Sequence, residues 1–189
     1  MLQKLKAWFG PDPLEDPARR LYHKIVEQAR LPVFYEKFGV PDTANGRFDM
    51  IVLHCFCVMR RLKKEPQGYD LSQMLMTVLV DDLDRNLREM GVGDLSVGKK
   101  VKRIAEGFYG RLAAYSTGMN GDQTGLAEAL KRNLYSSIEN PDEGSVTQVV
   151  DYLCREIDRL DGTGFESLQA GNVVFGQPDK PVEIRGLSA

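Results

Sequence analysis

Three neighbouring side chains, His54, Cys55 and Cys57, are of the types that hold zinc or a redox metal, or that pair as a Cys–His nucleophile. Their spacing argues against both. On a helix His54 and Cys57 share a face and Cys55 lies off it, so only two of the three reach one metal and Cys154 would have to join them. The chain has no CxxC pair and no HExxH. Pairing Cys57 with His54, or with the distant His23, comes with neither a strand-to-helix turn nor a recognisable oxyanion loop. Cys55 falls in an apolar stripe and cysteine is among the most buried residue types, so the group reads as core, with no metal and no cofactor.

Asp81, Asp82 and Asp84 form a second cluster. Asp81 and Asp84 share a helical face suited to a hard cation or a basic partner. Asp82 with Arg85 and Asp84 with Arg88 have the spacing of ordinary surface pairs, and a solvated face is the plainer reading. The run Gly91-Val92-Gly93-Asp94, then Ser96-Val97-Gly98-Lys99-Lys100, looks like a phosphate loop but lacks GxxxxGK[ST] and has helical patterns on both sides. Gly91 reads as a C-cap and Ser96 as an N-cap. Arg60, Arg61, Lys63 and Lys64 lie at a helix C-terminus, where the macrodipole favours cations. Lys99, Lys100, Lys102 and Arg103 occupy first turns, where it favours acids. That departure is compatible with a solvated basic face or with a surface that meets acidic lipid, RNA or an acidic protein face.

The elements that carry these residues are helical throughout. After a proline-rich linker at residues 10–17, apolar stripes run through Leu21, Ile25 and Ala29, and through Phe48, Ile51, Val52, Cys55, Met59 and Leu62. The clearest holds Leu71, Met74, Leu75, Val78, Leu79, Leu83, Leu87 and Met90 on one face. Further stripes join Val97, Val101, Ile104, Phe108, Leu112 and Tyr115, then Leu126, Leu130 and Leu134. The last, capped by Ser145, joins Val146, Val149, Val150, Leu153, Ile157 and Leu160. Met74 and Met76 point to opposed faces, one available to the core and the other to a groove. No strand alternation or internal repeat occurs. The expected fold is all-α: a single bundle-like domain of about six or seven helices over residues 17–165. It is preceded by an amphipathic segment and linker (1–16) and followed by a tail (166–189) with a short extended stretch near 172–175. Leu75, Val78, Leu79, Ile104, Phe108, Val150 and Leu153 are its expected core.

The 189 residues suit one domain, and 42% apolar with 28% charged residues excludes a mostly disordered chain. A net charge of −2 removes the simplest electrostatic case for DNA binding. Three cysteines suit a reducing compartment. Leu2, Leu5, Trp8 and Phe9 share a face that is either a membrane-surface anchor or a terminal turn packed on the domain, the latter favoured because so short a helix buries little. No stretch reaches the roughly 20 apolar residues that span a bilayer.

The stretch DDLDRNLREMGVGDLSVGKKVKRIAEGFYGRLAAY, residues 81–115, resembles the ubiquinol–cytochrome c chaperone family. The acidic DLD, Leu87-Arg88-Glu89-Met90-Gly91-Val92-Gly93-Asp94, the VGKKVK run, and Phe108-Tyr109-Gly110-Arg111 with Tyr115 carry the likeness. Leu21-Tyr22, Phe34-Tyr35, Gly39-Val40-Pro41-Asp42 and Arg47-Phe48-Asp49 upstream, and residues 171–175 downstream, extend it to roughly residues 17–178. The resemblance implies an all-helical assembly factor, not an enzyme, that binds newly made cytochrome b near the ribosome exit and supports assembly of ubiquinol–cytochrome c reductase. With no mitochondrial presequence identified, it suits a bacterial member in the cytoplasm or at the inner face of the membrane, where the small mitochondrial partner need not exist. The implied client surface comprises Lys99, Lys100, Lys102, Arg103, Tyr109 and Arg111 with Asp81, Asp84 and Arg88, posed by the turn Gly91, Gly93 and Asp94. Contact with the ribosome or an anionic membrane belongs to this reading; DNA and small-molecule substrates do not. Two other classes compete: a general helical scaffold with no cytochrome b role, and an enzyme using Asp81, Asp84 or the His54–Cys57 face. An open apolar groove flanked by cations favours the chaperone, and a closed cavity with converging polar groups the enzyme.

Overall fold

Each apolar stripe becomes a helix. A computed structural model describes residues 12–120 and 123–179. It contains α1 (Glu15–Ala29), α2 (Pro32–Glu36), α3 (Ala44–Leu62), α4 (Gly68–Glu89), α5 (Asp94–Asn120), α6 (Gln123–Asn133), α7 (Glu143–Asp161) and α8 (Phe165–Gln169). No strand occurs among the described residues, and the fold is the expected all-α domain. The amphipathic stretch read in residues 1–10 lies outside the described residues.

α3 is the centre. It packs on α1, α4, α5 and α7. The sequence marks one stripe on it, yet Leu53, His54, Phe56, Cys57 and Val58 are buried as well, as expected of a helix that is apolar nearly all round. Thr43 caps it, its hydroxyl accepting from the Gly46 N–H at 3.1 Å. Around it α1 buries Ala18, Leu21, Tyr22, Ile25 and Ala29. α7 buries a broad face that includes Val149, Tyr152, Leu153 and Leu160. Its cap is Asp142, whose carboxylate accepts from the Ser145 N–H at 2.7 Å; Ser145, the expected cap, is already inside the first turn.

Other details correct the sequence reading. α1 begins at Glu15, so Pro17 sits in its first turn and not in a linker. The long stripe of α4 is buried only as far as Leu79. Leu83 and Leu87 are half-buried and Met90 is 76% exposed, because the α4–α5 hairpin extends past the helices that would cover it. Ile104 on the facing helix is half-buried for the same reason and is not core, whereas Leu75, Val78, Leu79, Phe108, Val150 and Leu153 are. Met76 is buried in the core, and Met74, half-buried, lines a shallow groove with Leu14, Asp70 and Thr77.

The chain after α8 is pinned without regular secondary structure. Val173 is buried, Gln28 Nε2 donates to the Gly176 carbonyl at 2.8 Å, and the Gly176 N–H donates to the buried Glu156 carboxylate at 2.9 Å.

Candidate functional site

A cleft of about 510 Å³ opens where α3, the corner after it, α4 and α5 meet. Phe56 and Met59 of α3 and Leu112 of α5 give it an apolar lining. Tyr69, 65% exposed on the first turn of α4, and Tyr109, 50% exposed on α5, also line it. Arg60 and Lys63, at the end of α3, add cations. The corner is tight enough that a Cβ on Gly68 would stand 2.0 Å from the Leu62 carbonyl oxygen; only glycine brings Tyr69 back over the end of α3.

Four cations cluster at this end of α3. Arg60 and Lys64 share one carboxylate, Asp161, at 3.3 and 2.8 Å. Arg61 spans Glu65 at 3.3 Å and the Thr163 carbonyl at 3.0 Å. Lys63 is exposed. The sequence reading treats these cations as ordinary helix-end charges; what it misses is the Pro66 to Gly68 corner that sets them beside two exposed tyrosines.

The expected client residues divide into three groups. Lys99, Lys100, Lys102 and Arg103 are exposed on α5, with Lys102 3.8 Å from Glu106. Lys99, Lys102, Glu106, Tyr109, Ala113 and Ser116 follow alternating spacings of three and four, so they form one stripe of α5. Its last three members line the cleft, and Lys102 stands about 10 Å along the helix from Tyr109. Lys100 falls off this stripe.

The second group holds the α4–α5 turn. Arg88 Nε pairs with Asp84 at 2.6 Å and its Nη1 with Asp94, tying the end of α4 to the start of α5 and holding the Asp84 carboxyl below the usual range. Gly91, at φ +80°, ends α4: its N–H donates to the Arg88 carbonyl and the Val92 N–H to that of Leu87. The Gly93 carbonyl accepts from Ser96 and Val97, so α5 starts at Asp94, and Ser96 lies within its first turn rather than capping it. Asp82 takes Tyr22 O–H at 2.9 Å and Asn86 at 3.2 Å in place of the expected Arg85, and Asp81 is exposed.

Arg111 forms the third group and faces inward. Its Nε lies 2.7 Å from Oδ1 of Asp49, which is 2% exposed on α3, and its Nη1 donates to the Gly107 carbonyl at 3.1 Å. Burial pushes the Asp49 carboxyl up to about 6 against the opposing pull of Arg111. Arg111 therefore belongs to the join between α3 and α5, not to the outer basic face. The Tyr115 hydroxyl lies one turn on, buried and without a hydrogen-bond partner.

His54 is a core residue. Its Nδ1–H donates to the Met50 carbonyl at 2.7 Å, which leaves Nε2 to accept from Tyr152 O–H at 2.8 Å. The ring also meets Phe34 and Phe175 edge to face. Burial lowers its pKa to about 4, so it is neutral at physiological pH. Burial raises the thiols of Cys55 and Cys57, which keeps them protonated and poorly nucleophilic. Among the described residues no group of three metal-binding side chains converges.

The chain is a helical domain with an open, apolar, cation-flanked cleft, and its sequence assigns it to a family. Residues 36–175 match the ubiquinol-cytochrome C chaperone family, and the chain belongs to it. The chain is similar to ubiquinol-cytochrome-c reductase complex assembly factor 1 of Xenopus laevis, 28% identical over 84% of this chain and 80% of that protein. It is 27% identical to the mouse protein of the same description over 85% of this chain, but spans 55% of that relative. Yeast mitochondrial CBP3 is 27% identical over 79% of this chain and 46% of its own length. Among solved structures, the Cbp3 homolog from Brucella abortus aligns with 34% identity and a TM-score of 0.77 over 95% of this chain and 97% of that one.

Proposed function

We propose that this chain is a non-catalytic chaperone that holds an apolar segment of newly made cytochrome b during assembly of ubiquinol–cytochrome c reductase. The family supports the reductase assembly role. The observation that supports an apolar client is the cleft itself: an open apolar surface with two half-exposed tyrosines beside unburied cations. A protein that keeps membrane segments out of water needs such a surface, and an isolated soluble domain gains nothing from leaving one uncovered. The stripe from Lys99 to Tyr109 extends it toward a basic face that meets the client or the anionic inner face of the membrane, near the site of synthesis on the ribosome. No helix among the described residues is long and apolar enough to cross a membrane.

The test is a photoreactive side chain placed at Tyr69 or Tyr109 in cells that make cytochrome b under control. Crosslinks to cytochrome b should form only while it is being synthesised, and the same chain should pull it down from membranes. A crosslink pattern indifferent to cytochrome b synthesis refutes the reading.

A further inference from the structure

Charge next to the cleft specifies its occupant further. Four cations at the end of α3, Arg60, Arg61, Lys63 and Lys64, are met by two carboxylates, Asp161 and Glu65. Asp161 is shared between Arg60 and Lys64, and Glu65 is engaged with Arg61. Arg60 and Lys63 line the cleft directly, together with Glu65, whose carboxylate is engaged by Arg61. The excess positive charge therefore lies at the edge of an apolar surface, where an incoming carboxylate would lose little hydration and gain two donors. The cleft is bounded by helices and its volume of about 510 Å³ fits a few side chains, not a folded domain.

We infer that the cleft binds an apolar helical segment that carries an acidic residue beside its apolar stretch, with the carboxylate seated at Arg60 and Lys63 and successive-turn side chains on Phe56, Met59 and Leu112. This rests on the client reading above and adds the chemistry by which one segment is chosen over another. Apolar contact supplies affinity that any hydrophobic helix shares. The cations supply discrimination, because a segment ending in lysine meets like charge at the same edge.

The experiment uses the full chain and three fluorescent helical peptides with one apolar face, differing only in having two glutamates, two glutamines or two lysines at one end. Anisotropy titrations should rank glutamate over glutamine over lysine, with about tenfold between the first and last, a gap that narrows at high salt. Lys63→Glu should erase or invert the ranking, and Lys63→Gln should shrink it. Tyr69→Ala should weaken all three peptides together. Equal binding of all three, unaffected by Lys63→Glu, overturns the charge inference while leaving an apolar client intact. No binding by any peptide, or binding untouched by Tyr69→Ala, overturns the client reading of the cleft and this inference with it. A concentration-dependent dimer that competes with the peptides would make a second copy the occupant and also overturns it.

Discussion

Arg111 offers a perturbation whose sign and pH dependence follow from the geometry. Its partner Asp49 is all but inaccessible, and the pair joins the central helix α3 to α5. Arg111→Met keeps much of the apolar stem but removes the guanidinium that lies over the Phe48 ring and leaves a carboxylate buried without its cation. Breaking a buried pair in this way costs about 3–5 kcal/mol, and the lower end applies because the guanidinium is partly exposed. The cost depends on pH. In the intact protein the folded-state pKa of Asp49, about 6, stands above its unfolded value, so this carboxyl favours the folded state most at low pH and loses that contribution as pH rises through 6.

Removing Arg111 raises the folded-state value further, since an adjacent arginine depresses a carboxyl by about 1–3 units. Each unit is about 1.4 kcal/mol. The gap between Arg111→Met and wild type is therefore expected to close by about 1.4 kcal/mol or more on going from about pH 8 to about pH 5. Urea titrations followed by far-ultraviolet circular dichroism measure it, and the comparison at each pH cancels the titration of other carboxylates. Adding Asp49→Asn should abolish the pH dependence of the gap and recover part of the loss near pH 8. A gap of constant size across this range would refute the argument, because it would mean that Asp49 stays ionised without Arg111 and is not effectively desolvated.

Other expectations are simpler. Leu79→Ala, at a buried position of α4, should cost about 2–5 kcal/mol by denaturant titration. Gly91→Ala places a Cβ in open space but at φ +80°, so only backbone strain acts and the loss should be about 1–2 kcal/mol in the same assay. Reversing Lys99, Lys100 and Lys102 to Glu should weaken client or membrane association, most at low salt, with helicity and melting temperature nearly unchanged. If the triple variant supports reductase assembly as well as wild type does, those lysines are only a solvated face.

Helical period made most of the fold legible in the sequence, because a stripe at spacings of three and four names the buried face of a helix that has one. It failed in two informative ways. α3 has apolar residues on nearly every side, and a search for one stripe reports only one of them, so its place at the centre does not show in the stripe. α4 and α5 keep their stripes to the hairpin end, but period carries no information about whether anything covers a stripe; Met90 and Ile104 match the pattern and lack the cover. Caps misled for a related reason. Serine suits an N-cap, but Asp142, three residues before Ser145, reaches its N–H first.

The cleft was the least legible feature, and its residues show why. Met59 read as part of an apolar stripe and Phe56 fell outside it, Arg60 and Lys63 read as helix-end cations, and Tyr69 as nothing in particular. Each belongs to a different reading, and only the tight corner at Gly68 puts them together. Arg111 makes the opposite case. As one more cation within the family's most recognisable stretch it looked like part of the basic surface, yet its inward turn onto Asp49 gives it a different task. It fixes α5 against α3, and so fixes how far the Tyr109 side of α5 stands from Phe56 and Met59.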